Sequence, residues 1–143
     1  MERTNLNSKN RYLSQVKLAR LVSAKMFDCH EYEVVMMQSR NKNIMYARRF
    51  FIYYLWKYLN VSHNKMKKEL YKIHHATSIH HCNKMENEIE LYPDIKKAWI
   101  TFLYYTDENA YEKLKIDMKY TMEEMNNIVI DKELRELVST IIN

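Results

Sequence analysis

The sequence contains no glycine and a single proline, Pro93. Walker A loops, dinucleotide-binding fingerprints and nucleophile elbows all need glycine where the backbone approaches a phosphate or turns sharply. The chain can carry none of these motifs, so we expect no enzyme activity, no catalytic residue and no cofactor. Tight hairpin turns are also improbable without glycine, while Leu, Met, Lys, Glu and Tyr recur at helical spacing. The sequence therefore predicts an all-α fold.

Cysteines and long apolar runs are also scarce. Cys29 and Cys82 lie far apart and give neither a disulfide framework nor a CxxC motif, which indicates a reducing compartment. The longest apolar run, FFIYYLW, stops after seven residues, well short of the roughly 18 that a membrane span needs. The start, MERTNLNSKN, has no apolar core of a signal peptide. We expect a soluble, cytoplasmic protein with no membrane partner, either nucleoid-associated or in a host cytoplasm if a phage encodes it.

Acidic residues are rare in the first part of the chain. Residues 1–85 carry 16 lysines and arginines against five aspartates and glutamates, whereas residues 86–143 carry seven against 13. Between residues 40 and 84 there are ten basic residues, one acid, Glu69, and five of the six histidines. Such an imbalance favours a polyanionic partner for this part. The acidic second half is compatible with a homodimer surface, a patch for a partner protein, or a plain solvated bundle.

The hydrophobic pattern predicts about seven helices. The predicted segments are residues 11–27, HEYEVVMMQ, residues 44–59, HNKMKKEL after an N-cap at Ser62, residues 74–91, a helix opened by Pro93, and two helices within residues 107–143. We expect residues 1–105 to form one domain and residues 106–143 to form a helical extension packed on or beside it.

Several side chains are predicted to face the core. In the first helix, Leu13, Val16, Leu21 and Met26 lie near one stripe, and Met66 and Leu70 share a face at i,i+4. The helix of residues 44–59 is apolar on nearly every side, as expected of a central helix. Its rings could stack on single-stranded bases, but rings on all sides of one helix favour core packing.

A short helix, a connector and a longer helix follow one another between residues 62 and 91. This is the order of a helix-turn-helix, whose second helix enters the major groove and reads base edges with its first residues. Here those residues are His74, His75, Thr77 and Ser78. The pattern predicts a recognition helix that begins at about His74.

The segments SRNKNIMYARRFFIYYL, NVSHNKMKKEL and YKIHHATSIHHCNKM carry a further signal. Together they resemble, without a gap over residues 39–85, the C-terminal DNA-binding domain (domain IV) of the bacterial replication initiator DnaA. LYPDIKKAW is similar to the closing helix of that family. The resemblance implies a compact, Trp-repressor-like helical bundle containing a helix-turn-helix, here with extra C-terminal helices. The matched positions include Ala47, Arg48, Tyr53, Ser62, His75, Thr77, His80 and Lys84.

The resemblance implies roles for individual residues. Arg40 falls where the family inserts an arginine into the minor groove, which favours A·T-rich sequence. His75 and Thr77 fall where the family contacts bases. Other matched or flanking positions would contact phosphates, which set register and affinity. The full candidate DNA-binding set is Arg40, Lys42, Arg48, Arg49, Ser62, His63, Asn64, Lys72, His74, His75, Thr77, Ser78 and Lys84.

The sequence also departs from the family pattern. The family's aspartate is His74 here, its first threonine is Ala76 and its glycine pair is Tyr71 and Lys72. We therefore expect the binding mode, but not the family's target box, to be kept. Without glycine, the turn either avoids the left-handed region or places a side chain there at about 1 kcal/mol. These residues contain no ATPase domain, so nucleotide-driven origin melting is not expected of this chain alone.

The segment KIHHATSIHHCNKM first suggests a metal site. His74 and His81 share a helix face but lie about 10.5 Å apart along the axis, too far for one zinc ion. His75, His80 and Cys82 share no face at i,i+4. We expect no metal site, with Cys82 a small core residue and His80 and His81 half-exposed.

The sequence therefore favours double-stranded DNA binding, as a transcriptional or replication regulator from a phage or mobile element. An abundance of Lys, Asn, Ile and Tyr, typical of AT-rich genomes, is compatible with that origin. The alternative is a protein-interaction decoy that binds a host replication initiator or its regulators without needing DNA. A small hydrolase or nuclease has no acidic metal cluster to support it.

Overall fold

The computed structural model describes the backbone of residues 2–36 and 41–117 and the side chains of residues 9–36 and 41–114. These residues form helices and no strand, which confirms the predicted all-α class. They fall into two compact units, with the boundary between Cys82 and Asn83. The helices are α1 (Glu2–Met26), α2 (Glu31–Val35), α3 (Lys42–Tyr58), a 3-10 helix (His63–Lys68), α4 (His75–Leu91), α5 (Pro93–Thr106) and α6 (Glu108–Asp117).

Helix α3 is the centre of the first unit, as its apolar pattern predicts. It packs against α1, α2 and the 3-10 helix. Its rings from Phe50 to Tyr54 are buried, so they pack in the core and do not offer faces for stacking on bases. Burying a large apolar side chain contributes about 1.5–3 kcal/mol, which makes these rings a main source of the unit's stability.

Helix α1 begins earlier than its apolar pattern predicts and turns a different side inward. Val16 is buried as expected, but Leu13 is 52% exposed, so its predicted place in the core is wrong. The inward position one turn before Val16 belongs to Tyr12, whose hydroxyl donates to Glu69 Oε1 over 3.2 Å. Leu13 lies about 100° round the helix from Tyr12 and therefore faces away.

Within residues 2–36 and 41–117, three positions at helix ends and turns adopt left-handed backbone, and none of them is glycine. Asp28 after α1, Asn60 after α3 and Lys72 before α4 have φ values of 51°, 57° and 54°. At the end of α1 the N–H of Cys29 donates to the carbonyl of Ala24 over 2.9 Å, which is the longer bond of a Schellman motif. Asp and Asn tolerate this conformation better than other residues, so Lys72 is the costly position.

The second unit contains the later part of α4 together with α5 and α6. Helices α5 and α6 pack on each other. Pro93 begins α5, as predicted. Trp99 is buried and its ring stacks on Phe102 with centroids 5.0 Å apart. Asp107 Oδ1 accepts from the N–H of Ala110 and so caps α6. The last predicted helix, DKELRELVSTII, lies outside the described residues.

Among residues 2–36 and 41–117, no helix is both long enough and apolar enough to cross a bilayer.

Candidate nucleic-acid interface

The short helix before α4 has the predicted inner face but a tighter backbone. Met66 and Leu70 are both fully buried, as their spacing predicts. The segment is a 3-10 helix, and the N–H of Lys65 donates to the carbonyl of Ser62 over 3.0 Å. Ser62 occupies the N-cap position as predicted, although its side chain makes no capping bond. With the inner face filled by Met66, the lysines of this helix point to solvent.

The turn between the two helices is anchored through its backbone. The N–H of Tyr71 donates to the carbonyl of Val35 over 2.8 Å, which ties the turn to the end of α2. Lys72 follows in the left-handed region. Of the two possibilities open to a turn without glycine, the chain therefore adopts the one that places a side chain there. The Nζ atom of Lys72 lies 5.2 Å from the centroid of the Tyr71 ring, and both side chains are exposed.

Two exposed histidines lie at the N-terminal end of α4, His74 just before the helix and His75 as its first residue. The N–H of Ala76 donates to Nδ1 of His74 over 3.1 Å, which is the bond an N-cap residue makes. The rings of His74 and His75 lie 4.4 Å apart between centroids. Thr77 is half-buried, whereas Ser78 is fully buried. The first turn of α4 thus presents two imidazoles to solvent.

Ser78 acts inside the protein, which corrects its expected place on the DNA-binding surface. Its Oγ atom shares a hydrogen bond of 2.8 Å with Nδ1 of His63. The His63 ring also stacks on Trp56 with centroids 5.4 Å apart. Burial, with a smaller effect of nearby His75, lowers the pKa of His63. His63 is half-buried and links the start of the 3-10 helix to α4.

Arg48 is also buried, which corrects the expectation that it contacts phosphate. It is 5% exposed, and its guanidinium donates to the carbonyls of Glu33 at 2.9 Å and Val34 at 3.2 Å. These carbonyls lie in the last turn of α2, where a helix has no intrahelical donors left. Burial lowers the pKa of Arg48. Its charge serves to close α2 and hold it against α3.

Arg49 is the second buried arginine on α3, and its expected role at the surface is corrected in the same way. It is 4% exposed and its Nε donates to Nδ1 of His81 over 3.3 Å. Its guanidinium also lies 5.4 Å from the Tyr46 ring centroid. Arg49 therefore joins α3 to α4 inside the first unit.

His81 was expected to be half-exposed, and that expectation is wrong, since only 8% of it is accessible. Burial first, and then the charges of Arg49, His80 and Arg48, lower the pKa of His81 to about 4. The ring is therefore neutral near pH 7 and can accept from Arg49. Cys82 next to it is buried, as predicted.

Seven residues of the candidate set remain exposed, and Thr77 and His63 are half-buried. Arg40 lies outside the described residues. Lys42 is exposed at the start of α3 and Lys84 further along α4. The exposed members are Lys42, Ser62, Asn64, Lys72, His74, His75 and Lys84.

The motif-based selection missed three exposed lysines on the 3-10 helix, Lys65, Lys67 and Lys68. The sequence signal for these lysines was the i,i+4 spacing of Met66 and Leu70, which predicts the inner face of the short helix and leaves its other positions in solvent. Glu69, the one acid between residues 41 and 85, is half-buried and accepts from Tyr12. Burial and the adjacent Glu69 carboxylate raise the pKa of Tyr12 to about 12. We call the exposed residues Lys65, Lys67, Lys68, Lys72, His74 and His75 the basic segment.

No group of three His, Cys, Asp or Glu side chains suited to holding a metal ion occurs among the described residues. Burial, followed by the charge of Glu33, raises the pKa of the Cys29 thiol, so this thiol is not activated as a nucleophile.

Comparison of the chain with protein-family models, with curated proteins and with solved structures found no match.

Proposed function

We propose that this protein binds double-stranded DNA through residues 62–82 as a helix-turn-helix, and acts as a regulator of transcription or replication. In this proposal α4 is the recognition helix, which begins after His74, and Arg40 enters the minor groove of an A·T-rich site. The 3-10 helix and the turn lie over the phosphate backbone. The similarity to the DnaA DNA-binding domain over residues 39–85 supports the same arrangement.

The observation that carries the proposal is the charge exposed by the basic segment. Its four lysines are exposed and supply positive charge, His74 and His75 are exposed next to them in the chain, and Glu69 is turned toward Tyr12. A solvated protein surface normally mixes both signs of charge. A cationic strip beside the first turn of a helix matches the phosphate ridges that border a major groove.

The rigidity of the segment supports the same function. Recognition requires that α4 keep a fixed position relative to the lysines before it. The bond between His63 and Ser78, the bond between Arg49 and His81, and the backbone bond from Tyr71 to Val35 each hold one part of the segment. Ser78 and Arg49 are buried partners in these bonds, and Arg48 donates to the carbonyls of α2. In this proposal all three side chains stabilise the fold and do not contact DNA.

The salt dependence of duplex affinity tests the proposal. The affinity of the full chain for a labelled duplex should fall linearly with salt concentration on a logarithmic plot, with a slope near 0.9 per neutralised phosphate. Lys67→Ala combined with Lys68→Ala should lower that slope by about 1.8. Lys97→Ala combined with Lys113→Ala, which removes two exposed lysines from α5 and α6, should leave it unchanged.

Absence of duplex binding at about 50 mM salt would refute the proposal. If the Lys67 and Lys68 changes leave binding unaltered and the Lys97 and Lys113 changes abolish it, the DNA-binding surface lies in the second unit. Selection of bound sequences from a random duplex pool would then identify the preferred site and supply the probe for finer tests.

A further inference from the structure

The outward face of α4 in its first two turns contains an exposed apolar side chain. Burial divides these turns cleanly, since Ser78, His81 and Cys82 are inside while Ala76 and Ile79 are outside. Positions 76 and 79 are neighbours across one helical turn. Ala76 therefore lies near the middle of the exposed face and Ile79 lies nearer its edge, and neither side chain is charged.

Ile79 is 39% exposed and belongs to the few large apolar residues that the described part of the first unit leaves in solvent. On the same helix it follows His75 by four residues, so the two side chains share a face. His80, next in the chain, is exposed as well. Ile79 is thus an exposed apolar side chain beside imidazoles, and the lysines of the basic segment precede it in the chain.

The chemistry of the major groove offers one apolar group to such a face. Each A·T pair places the C5-methyl of thymine in the groove, whereas the other base edges present hydrogen-bond donors and acceptors. An isoleucine has no hydrogen-bonding atom in its side chain, so it can discriminate bases only through this methyl group or through shape.

We infer that Ile79 is a specificity-determining residue that packs on a thymine methyl group in the major groove. The inference rests on the proposed function, because it requires α4 to lie in the groove. It assigns A·T preference to α4 itself, in addition to any contribution from Arg40 in the minor groove. His75 and His80 border the contact and exclude water from it.

The test exchanges thymine for deoxyuridine, which pairs identically but lacks the methyl group. A duplex enriched from a random pool is resynthesised with one deoxyuridine at a time, and its affinity for the full chain is measured. Burial of one methyl group corresponds to about a fourfold change in affinity. We expect at least one position to show this loss with the native chain, and Ile79→Ala to bind both duplexes equally.

Leu13→Ala is the matched control, because it truncates another exposed aliphatic side chain, on α1. It should keep the fourfold difference between the two duplexes. Equal affinity of the native chain for every thymine and deoxyuridine pair would overturn the inference and leave the proposed function intact. A fourfold difference that persists in Ile79→Ala would also overturn it. Failure of the native chain to bind any duplex would refute the proposed function instead.

Discussion

Acid should destabilise the first unit through His81. This ring is buried and neutral and accepts from Arg49 Nε. Its pKa falls from 6.5 in the unfolded chain to about 4 in the folded protein. Below pH 6.5 His81 binds a proton in the unfolded state but stays neutral in the folded state, so the free energy of unfolding decreases as pH falls toward 4.

The size of the effect follows from the two pKa values. With pKa values of 6.5 and about 4 in the two states, the free energy of unfolding decreases by about 2 kcal/mol at pH 5 and about 3 kcal/mol at pH 4, relative to pH 7. A typical domain has only 5–15 kcal/mol of stability, so a loss of this size is easily measured. Protonation would also place a second cation beside Arg49, which disrupts the link between α3 and α4.

Urea unfolding followed by far-ultraviolet circular dichroism at pH 7, 6, 5 and 4 measures the loss. The matched control is His81→Asn, since an asparagine oxygen can accept from Arg49 but does not titrate in this range. All carboxylates are common to both proteins, so the difference between the two curves isolates His81. Parallel curves for the native chain and the variant, or a His81 pKa above 6.5 by histidine NMR titration, would refute the reasoning.

Two further changes test single features of the first unit by urea unfolding. Lys72→Gly should raise the free energy of unfolding by about 1 kcal/mol because glycine adopts φ of 54° without steric cost. Lys72→Ala removes the ammonium group and its chain but keeps the Cβ atom, so it should not raise the free energy of unfolding. Equal effects of the two changes would contradict the strain at this turn. Arg48→Met should lower the free energy of unfolding by about 1–3 kcal/mol, because the carbonyls of Glu33 and Val34 lose their donor. Lys42→Met, an exposed change on the same helix, should have little effect. An Arg48→Met protein as stable as the native chain would show that these bonds contribute nothing.

The sequence was sufficient to predict elements whose signal is local. The absence of glycine and the 3.6-residue periodicity predicted the all-α class, Pro93 predicted the start of α5, and the spacing of Met66 and Leu70 predicted the inner face of the short helix. Each of these depends on a few adjacent residues and on steric rules that hold in any context. The left-handed turn was predicted only as one of two possibilities, and the structure places Lys72 there.

The placement of polar side chains could not be predicted in the same way. Arg48 and Arg49 belong to a helix that is apolar on nearly every side, which was a signal that both would be enclosed by neighbours. The acceptors that make their burial possible, the α2 carbonyls and His81, come from distant parts of the chain. The helix-turn-helix pattern drew attention to Ser78 and away from Ile79, because it gives positions along the second helix without giving the side that faces the core.

Backbone amide NMR of the labelled chain, titrated with a duplex at low salt, shows whether residues 62–82 bind DNA. The largest chemical-shift changes should fall on residues 62–82, with small changes in α5 and α6. Changes confined to α5 and α6, or a spectrum that the duplex leaves unaltered, would contradict this prediction.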